Sequence, residues 1–258
     1  MATSKQAIIV AAGQGSRLWP YTQERPKCLL DIGGMTLLEH QVAALRSQDI
    51  ECITVVIGYM GHKVCEVLGT QVEYVHNPHF MRTSSMYSLW LARDVARQGC
   101  LVFNADVLFH VGILQALLEC PYPDALAVDF DAILAEEETK VRVQGERVWA
   151  LSKTLPQGDA ENVGMLKFSA AGSHVLFTKI DDLLPHHYRH AMVPCAVNAI
   201  APTHVLGAVP VQGLPWIEID FPADYQRARD VIYPAMRQAQ PASLSFSDTA
   251  SSSRGGRT

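Results

Sequence analysis

No stretch of this chain approaches the roughly 20 apolar residues that a membrane-spanning helix needs. An excess of positive charge is also missing. Lys and Arg number 21 against 26 Asp and Glu, and the net charge of −5 argues against nonspecific binding to nucleic acid or an anionic membrane. The six cysteines, at 28, 52, 65, 100, 120 and 195, form no Cys-x-x-Cys. A zinc site is therefore not expected, and most of them read as reduced core residues of a cytoplasmic protein. Met1-Ala-Thr-Ser-Lys-Gln6 leads straight into an apolar run, so no signal peptide is expected. There is no internal repeat. Apolar residues are plentiful at 48 %, against 18 % charged, which is enough for a full core in one α/β domain or two small ones.

Two familiar phosphate loops are absent as well. In Ala11-Ala-Gly-Gln-Gly-Ser-Arg-Leu18 the third small residue of a dinucleotide fingerprint is replaced by Leu18. A Walker A loop would close on Gly-Lys-Ser/Thr, and here Gly15 leads into Ser16-Arg17. What stands there instead is Ala7-Ile-Ile-Val-Ala11, too short for a core helix and read as a buried strand, followed by the glycine loop and then Arg25-Pro-Lys27. Open α/β sheets place ligands at the carboxyl ends of their strands. Gly13 and Gly15 let backbone N–H groups approach phosphate oxygens, and Arg17 and Lys27 supply the cations. A plain strand-to-helix turn would not require both cations. The segment is built to hold a nucleoside triphosphate.

Strand and helix signals then alternate. Strands are expected at Ile8–Ala11, Thr54–Ile57, Val72–Val75 and Leu101–Asn104, and helices at Thr36–Arg46, Gly61–Val67 and Ser84–Arg97. This rhythm predicts a mostly parallel sheet with right-handed crossovers. Thr139–Val143 and Arg147–Leu151 flank Gln144-Gly-Glu146 as a hairpin. Asn162–Phe168 and Trp216–Asp220 read as strands, Ala170–Leu184 as a helix, and Pro222–Arg237 as a closing helix with Pro in its first turn. The expected architecture is a three-layer α/β sandwich on residues 1–237, with a mixed sheet and a small hairpin subregion for the acceptor. A disordered Ser/Gly/Pro-rich tail is expected over 238–258.

Asp106 follows the fourth strand and Asp220 ends the late one. Magnesium prefers hard oxygen ligands, typically one or two carboxylates plus phosphate oxygens, so this pair is the candidate metal site. The competing reading is a turn or helix cap, above all for Asp220 before Phe221-Pro222. Trp216, Glu218 and Asp220 alternate and share one face. A ring and a carboxylate there could hold an ammonium by charge and cation–π attraction; packing of Trp216 under a loop, with Glu218 solvated, is the alternative. Ser84 and Ser85 either cap a helix or help its free N–H groups receive the nucleotide. Lys140 and Lys153 are candidate phosphate ligands of the acceptor, with solvation as the alternative. His186, His187 and His190, with Tyr188, read as surface residues.

The loop and the Pro-Lys pair together resemble the signature of nucleotidyltransferases that make activated sugars and alcohols. Asn77-Pro, Ser85-Met-Tyr-Ser-Leu-Trp-Leu-Ala92, Asn104-Ala-Asp106, Thr139-Lys-Val-Arg-Val143, Asn162-Val-Gly-Met-Leu-Lys-Phe-Ser169 and Trp216-Ile-Glu-Ile-Asp-Phe-Pro222 sharpen this. They resemble cytidylyltransferases acting on phosphocholine and similar phosphoryl or phosphonate alcohols such as 2-aminoethylphosphonate. The resemblance covers Ala7 to about Arg229. It implies CTP on Ala11, Ala12, Gly13, Gly15, Ser16, Arg17, Lys27, Ser84, Ser85, Ser88 and Ala105, with Lys27 and Arg17 catalytic. It implies Mg2+ on Asp106 and Asp220, and an acceptor near Lys140, Lys153, Trp216 and Glu218. It leaves a homodimer open. Two positions depart from the pattern: Glu161-Asn162 stands where many relatives show Gly-Glu, and Phe221 replaces a common Thr. Both bear on the acceptor rather than the reaction. The rival readings are a sugar-1-phosphate or inositol-phosphate nucleotidyltransferase, and a glycosyltransferase using Asp129-Phe-Asp131 as its metal motif.

Overall fold

The computed structural model describes residues 6–186 and 190–239. The chain opens with β1 (Gln6–Ala11), a small ribbon of β2 (Asp31–Ile32) and β3 (Met35–Thr36), and α1 (Leu37–Arg46). Next come β4 (Cys52–Ile57), α2 (Gly61–Leu68), β5 (Glu73–His76), α3 (Ser85–Leu91), β6 (Gly99–Asn104), β7 (Val107–Phe109), α4 (Val111–Glu119) and β8 (Ala125–Asp129). The second half holds β9 (Lys140–Gln144), β10 (Arg147–Ser152), β11 (Ala160–Ser169), α5 (Ala170–Leu183), α6 (Val193–Ile200), β12 (Gly207–Pro210), β13 (Trp216–Glu218), α7 (Pro222–Arg227) and α8 (Tyr233–Ala239).

Nine strands form one mixed sheet in the order β5-β4-β1-β6-β11-β8-β12-β10-β9. Strands β5, β4, β1 and β6 run parallel, and β11 enters antiparallel to β6. β1 shows why the sheet needs a helical layer on both sides. Ile9 packs into one core with Leu38 and Val42 of α1, and Ile8 packs into the other with Met86 and Leu89 of α3. A strand apolar on both faces is stable only when both are covered. α1 starts on a capping box, with Thr36 and Glu39 satisfying each other's backbone N–H groups.

Several elements differ from the sequence reading. The helix expected over 84–97 ends at Leu91. The chain then tightens through Ala92 N–H to Leu89 O and Ala96 N–H to Arg93 O, which suits the three-residue spacing of the buried Met86, Leu89 and Ala92. The hairpin β9–β10 is no separate subregion. Its strands continue the main sheet, and β9 also pairs with the start of β11. β13 stops at Glu218 and leaves the main sheet to pair with β7. The closing helix carries a π turn at Ala228–Ile232 and runs on through Ala239. That turn keeps Tyr225, Ala228, Ile232 and Met236 in a third core. β7, α4, β8, α6 and β12 had no expectation attached. The tail from residue 240, and His187 and Tyr188, lie outside the described residues. His186 and His190 are exposed. All six cysteines are free thiols; burial pushes those of Cys28 and Cys100 up to about 12.

Candidate active site

A cavity of about 400 Å³ opens where β1 and β6 end. The glycine loop forms one wall. Gly15 has φ of 63°, and a Cβ there would stand 2.9 Å from Lys27 Cβ, so only glycine lets the loop lie against that lysine. Thr22 Oγ1 donates to Gly15 O at 2.8 Å and fastens the turn. The single turn Ser16–Leu18 then points Leu18 into the third core and leaves Arg17 outside.

Asp106 and Asp220, 114 residues apart in sequence, meet because β7 begins just after Asp106 and β13 ends just before Asp220. The pairing sets Glu218 opposite Val107, and Ile219 N–H bonds to Asp106 O at 2.9 Å. Buried Gln41 of α1 holds the loop on both sides, donating Nε2 to Asn104 O at 2.9 Å and Val107 O at 2.7 Å. Lys27 Nζ sits 2.7 Å from Asp106 Oδ2 and 2.7 Å from Asp220 Oδ1. Arg17 contacts Asp220 Oδ2 at 2.7 Å and Glu137 Oε2 at 3.3 Å, and its guanidinium lies over the Phe221 ring. Burial works against the Lys27 charge, but Asp106 and Asp220 hold its pKa well above the lysine range. Burial alone would raise Asp220; Lys27 and Arg17 instead keep it below the usual carboxylate range. The capping reading of Asp220 gives way, because Asp224 takes that role and accepts from Asp220 N–H at 3.0 Å and Phe221 N–H at 2.7 Å.

Asp106, Glu218 and Asp220 bring carboxylate oxygens within 4.8 Å of one another, and Asp106 Oδ1 is buried without a hydrogen-bond partner. An anionic oxygen left unsatisfied in an all-oxygen donor set fits a hard divalent cation. Glu218 also belongs to a second trio with Glu138 and Glu161. Burial, then the charges of Asp106 and Asp220, push the Glu218 carboxyl well above the ordinary range. Burial and the neighbouring Glu138 do the same to Glu161.

Ala11, Ala12, Gly13, Gly15, Ser16, Arg17, Lys27, Ser84, Ser85, Ser88, Ala105, Asp106, Lys153, Glu218 and Asp220 all line the cavity. Trp216 and Lys140 are not among its lining residues. Trp216 donates Nε1 to Asp129 Oδ2 at 2.8 Å and packs on the core, and Lys140 donates to Lys153 O at 3.2 Å. Asp129 Oδ1 accepts from Asp131 N–H, so both its oxygens are engaged within the chain. Ser84 caps nothing with its side chain. Buried Asn77 organises the serine segment, donating Nδ2 to Thr83 Oγ1 at 3.0 Å and Ser88 Oγ at 2.9 Å. Sequence reasoning missed Gln41, Asn77, Glu137, Thr139 and Asn162. Of these Asn77, Thr139 and Asn162 stood in the family-like motifs without a role attached, and Gln41 and Glu137 carried no signal. Asp224, three residues after Phe221, was legible as a cap.

A family model described as a MobA-like NTP transferase domain matches residues 7–155. A bifunctional IPC transferase and DIPP synthase of Rubrobacter xylanophilus is 29% identical over 234 residues, which is 88% of this chain and 51% of that protein. A choline-phosphate cytidylyltransferase of Haemophilus influenzae is 38% identical over 109 residues, 42% of this chain and 46% of that one. The chain thus spans about half the length of these curated relatives. Among solved structures, the inositol-1-phosphate CTP transferase from T. maritima superimposes with a TM-score of 0.78 at 22% identity, covering 92% of this chain and 96% of that one. At that identity the likeness concerns the fold.

Proposed function

The chain belongs to the family of MobA-like NTP transferase domains, and from that premise we propose that it transfers CMP from CTP to a small phosphorylated or phosphonate amino alcohol, releasing pyrophosphate. The observation that carries this reading is the convergence of Lys27 and Arg17 on Asp220, beside the glycine loop and Asp106. A phosphoryl or phosphonate oxygen of the acceptor attacks the α-phosphorus in line. The new P–O bond forms as the bond to the β-phosphate oxygen breaks, and pyrophosphate leaves. A phosphate monoester has its second pKa near 6, so it arrives largely as the dianion and needs no general base. Catalysis is then positioning plus charge neutralisation.

Lys27 is the central cation. Released from Asp106 and Asp220, its Nζ meets the triphosphate, and Arg17 at the cavity mouth does the same from the other side of the loop. Magnesium, held by Asp106 and Asp220 with Glu218 beside them, would supply charge neutralisation on the phosphate oxygens. The serine segment, with Ser84 free of capping, receives the nucleoside end. CTP is favoured over other nucleotides by the choline-phosphate cytidylyltransferase relative.

The amine end of the acceptor is assigned to Glu218, whose half-buried carboxyl sits beside Glu161 and Glu138 and joins no salt bridge among the described residues. Trp216 acts at one remove, by fixing Asp129. The glycosyltransferase alternative loses support because Asp129 is engaged by Trp216 and by Asp131 N–H.

The test is pyrophosphate release across CTP, UTP, ATP and GTP, crossed with phosphoethanolamine, phosphocholine, 2-aminoethylphosphonate, inositol 1-phosphate and glucose 1-phosphate. The expected result is release with CTP and an amine acceptor, abolished by EDTA and restored by Mg2+. Release only with cyclitol or sugar phosphates would move the acceptor assignment to the alternative while keeping the nucleotidyl transfer. No release with any nucleotide would overturn the reading.

A further inference from the structure

The buried stripe of α1 is apolar at Leu37, Leu38, Val42 and Leu45. Gln41 interrupts it and is itself only 1% exposed. Its Nε2 faces two carbonyl oxygens, Asn104 O at 2.9 Å and Val107 O at 2.7 Å, which identifies the atom as the amide nitrogen and uses both of its hydrogens. Oε1 is then buried with no hydrogen-bond partner among the described residues. An orphaned amide oxygen costs free energy that a methionine or leucine of similar size would not incur. A residue that breaks a local apolar pattern at such a cost marks a functional or strained place. The place is the turn Asn104–Val107, which carries Asp106.

A chain of hydrogen bonds runs from that turn to Lys27. Leu30 N–H donates to Lys27 O at 3.1 Å, and Leu30 O accepts from Leu37 N–H at 3.0 Å. Leu37 and Gln41 lie four residues apart, about one helical turn, on the same side of α1. The first turn of α1 therefore grips the backbone just after Lys27, and the next grips the backbone on both sides of Asp106. Cys28, Leu29, Leu38, Val42, Ala105 and Val107 pack in one core and keep these segments together. Two other backbone groups of the turn bond elsewhere: Ala105 N–H donates to Val10 O at 3.3 Å, and Asp106 O accepts from Ile219 N–H at 2.9 Å. The turn is thus held by the first strand, by the segment that leads to Asp220, and by α1, which also holds the Lys27 segment.

We infer that Gln41 is a positioning residue for the reaction. By tying Asn104 O to Val107 O through one amide, it fixes the aim of the Asp106 carboxylate carried between them. Through α1 it sets that carboxylate against Lys27, whose Nζ stands 2.7 Å from Asp106 Oδ2. Gln41 is not among the residues that line the cavity, so it acts through Asp106 and not on a ligand. This rests on the nucleotidyl-transfer reading above and extends the machinery to a buried residue outside the cavity.

The experiment compares the wild type with three variants. Gln41→Met keeps the length and volume of the side chain and loses both donors. Gln41→Asn keeps the amide but is one methylene too short to reach both carbonyls. Val42→Ala loosens the same helix without removing a hydrogen bond to the turn. Mn2+ binding is followed by electron paramagnetic resonance in the presence of α,β-methylene-CTP, which cannot release pyrophosphate. Turnover is measured with CTP and the acceptor that the wild type uses. Both Gln41 variants bind Mn2+ about 10- to 100-fold more weakly, as expected when a group that orients a metal ligand is lost. Their kcat falls by a similar factor, while the acceptor KM stays within about threefold of the wild type. Val42→Ala lowers the melting temperature, and its Mn2+ affinity and kcat stay within about twofold. Wild-type Mn2+ affinity and kcat in either Gln41 variant overturn the proposal. So does a Val42→Ala variant with the same losses, which would make Gln41 a packing residue only. A wild type that releases no pyrophosphate with any nucleotide overturns instead the nucleotidyl-transfer reading beneath it.

Discussion

The cavity and the acidic cluster beside it handle charge in opposite ways. Beside the glycine loop the strong charges have counter-charges in contact: Lys27 bridges Asp106 and Asp220, and Arg17 ties Asp220 to Glu137. In the acidic cluster, Glu138, Glu161 and Glu218 crowd together, only Glu218 lines the cavity, and none of the three joins a salt bridge among the described residues. The first arrangement is neutralised in advance and can exchange its partners for phosphate and metal. In the second, burial and neighbouring carboxylates push the Glu161 and Glu218 carboxyls above the ordinary range. On the proposed function, the first would receive the anionic triphosphate and the second the cationic end of the acceptor, with Glu218 shared between them.

The sharpest way to break this comparison is to remove the central cation. Lys27→Ala should lower kcat/KM by about two orders of magnitude or more, since one oxyanion-type donor is worth ~2.7–4 kcal/mol in the transition state. Steady-state kinetics with a circular-dichroism check of the fold decides it. Turnover near the wild-type level would show that Lys27 serves only to keep Asp106 and Asp220 apart.

The acidic cluster can be probed by pH. A carboxyl whose folded pKa is raised holds a proton that the unfolded chain has already released, so the folded state loses stability as pH climbs above the ordinary carboxylate value of about 4.3. Glu161 and Glu218 both act in this sense. Asp220, depressed by Lys27 and Arg17, acts oppositely, and its contribution disappears as pH drops below the carboxylate range. Glu161→Gln removes one of the crowded carboxyls. Its melting temperature should match the wild type near about pH 5 and exceed it by several degrees near about pH 8. A difference that is constant across pH would mean that Glu161 is not held protonated by its neighbours.

The smallest effect is expected from the support behind Asp220. Asp224→Ala removes the acceptor for Asp220 and Phe221 N–H groups, and loss of such a cap costs ~1 kcal/mol, or about 2–4 °C in melting temperature for a chain of this size. Thermal unfolding would show it. An accompanying rise in the Mg2+ concentration needed for half-maximal activity would indicate that the cap also aims Asp220; a Tm shift alone would confine Asp224 to stability.

Local sequence determined the parts of this protein whose physics is local. Ala7–Ala11 is apolar on both faces and short, so it had to be a buried strand, and the glycines, Arg17 and Lys27 after it read as a phosphate-binding loop. Alternating strand and helix signals gave the layered α/β fold, and family-like motifs gave the reaction class. Helix ends and strand partners were less legible. The turn after Leu91 depends on which side of the sheet claims Leu89 and Ala92, and five elements between Val107 and Pro210 passed without a periodic signal strong enough to separate them. The tertiary structure alone decided that β13 leaves the main sheet to pair with β7. That pairing sets Asp220 against Asp106, frees it from capping and places Lys27 between the two. It also alone decided that Trp216 turns to Asp129 while Asn162 faces the cavity. Side-chain alternation shows which residues share a strand face; it does not show what that face meets, because the partner comes from a segment a hundred residues away, and the long-range packing of three separate cores selects it.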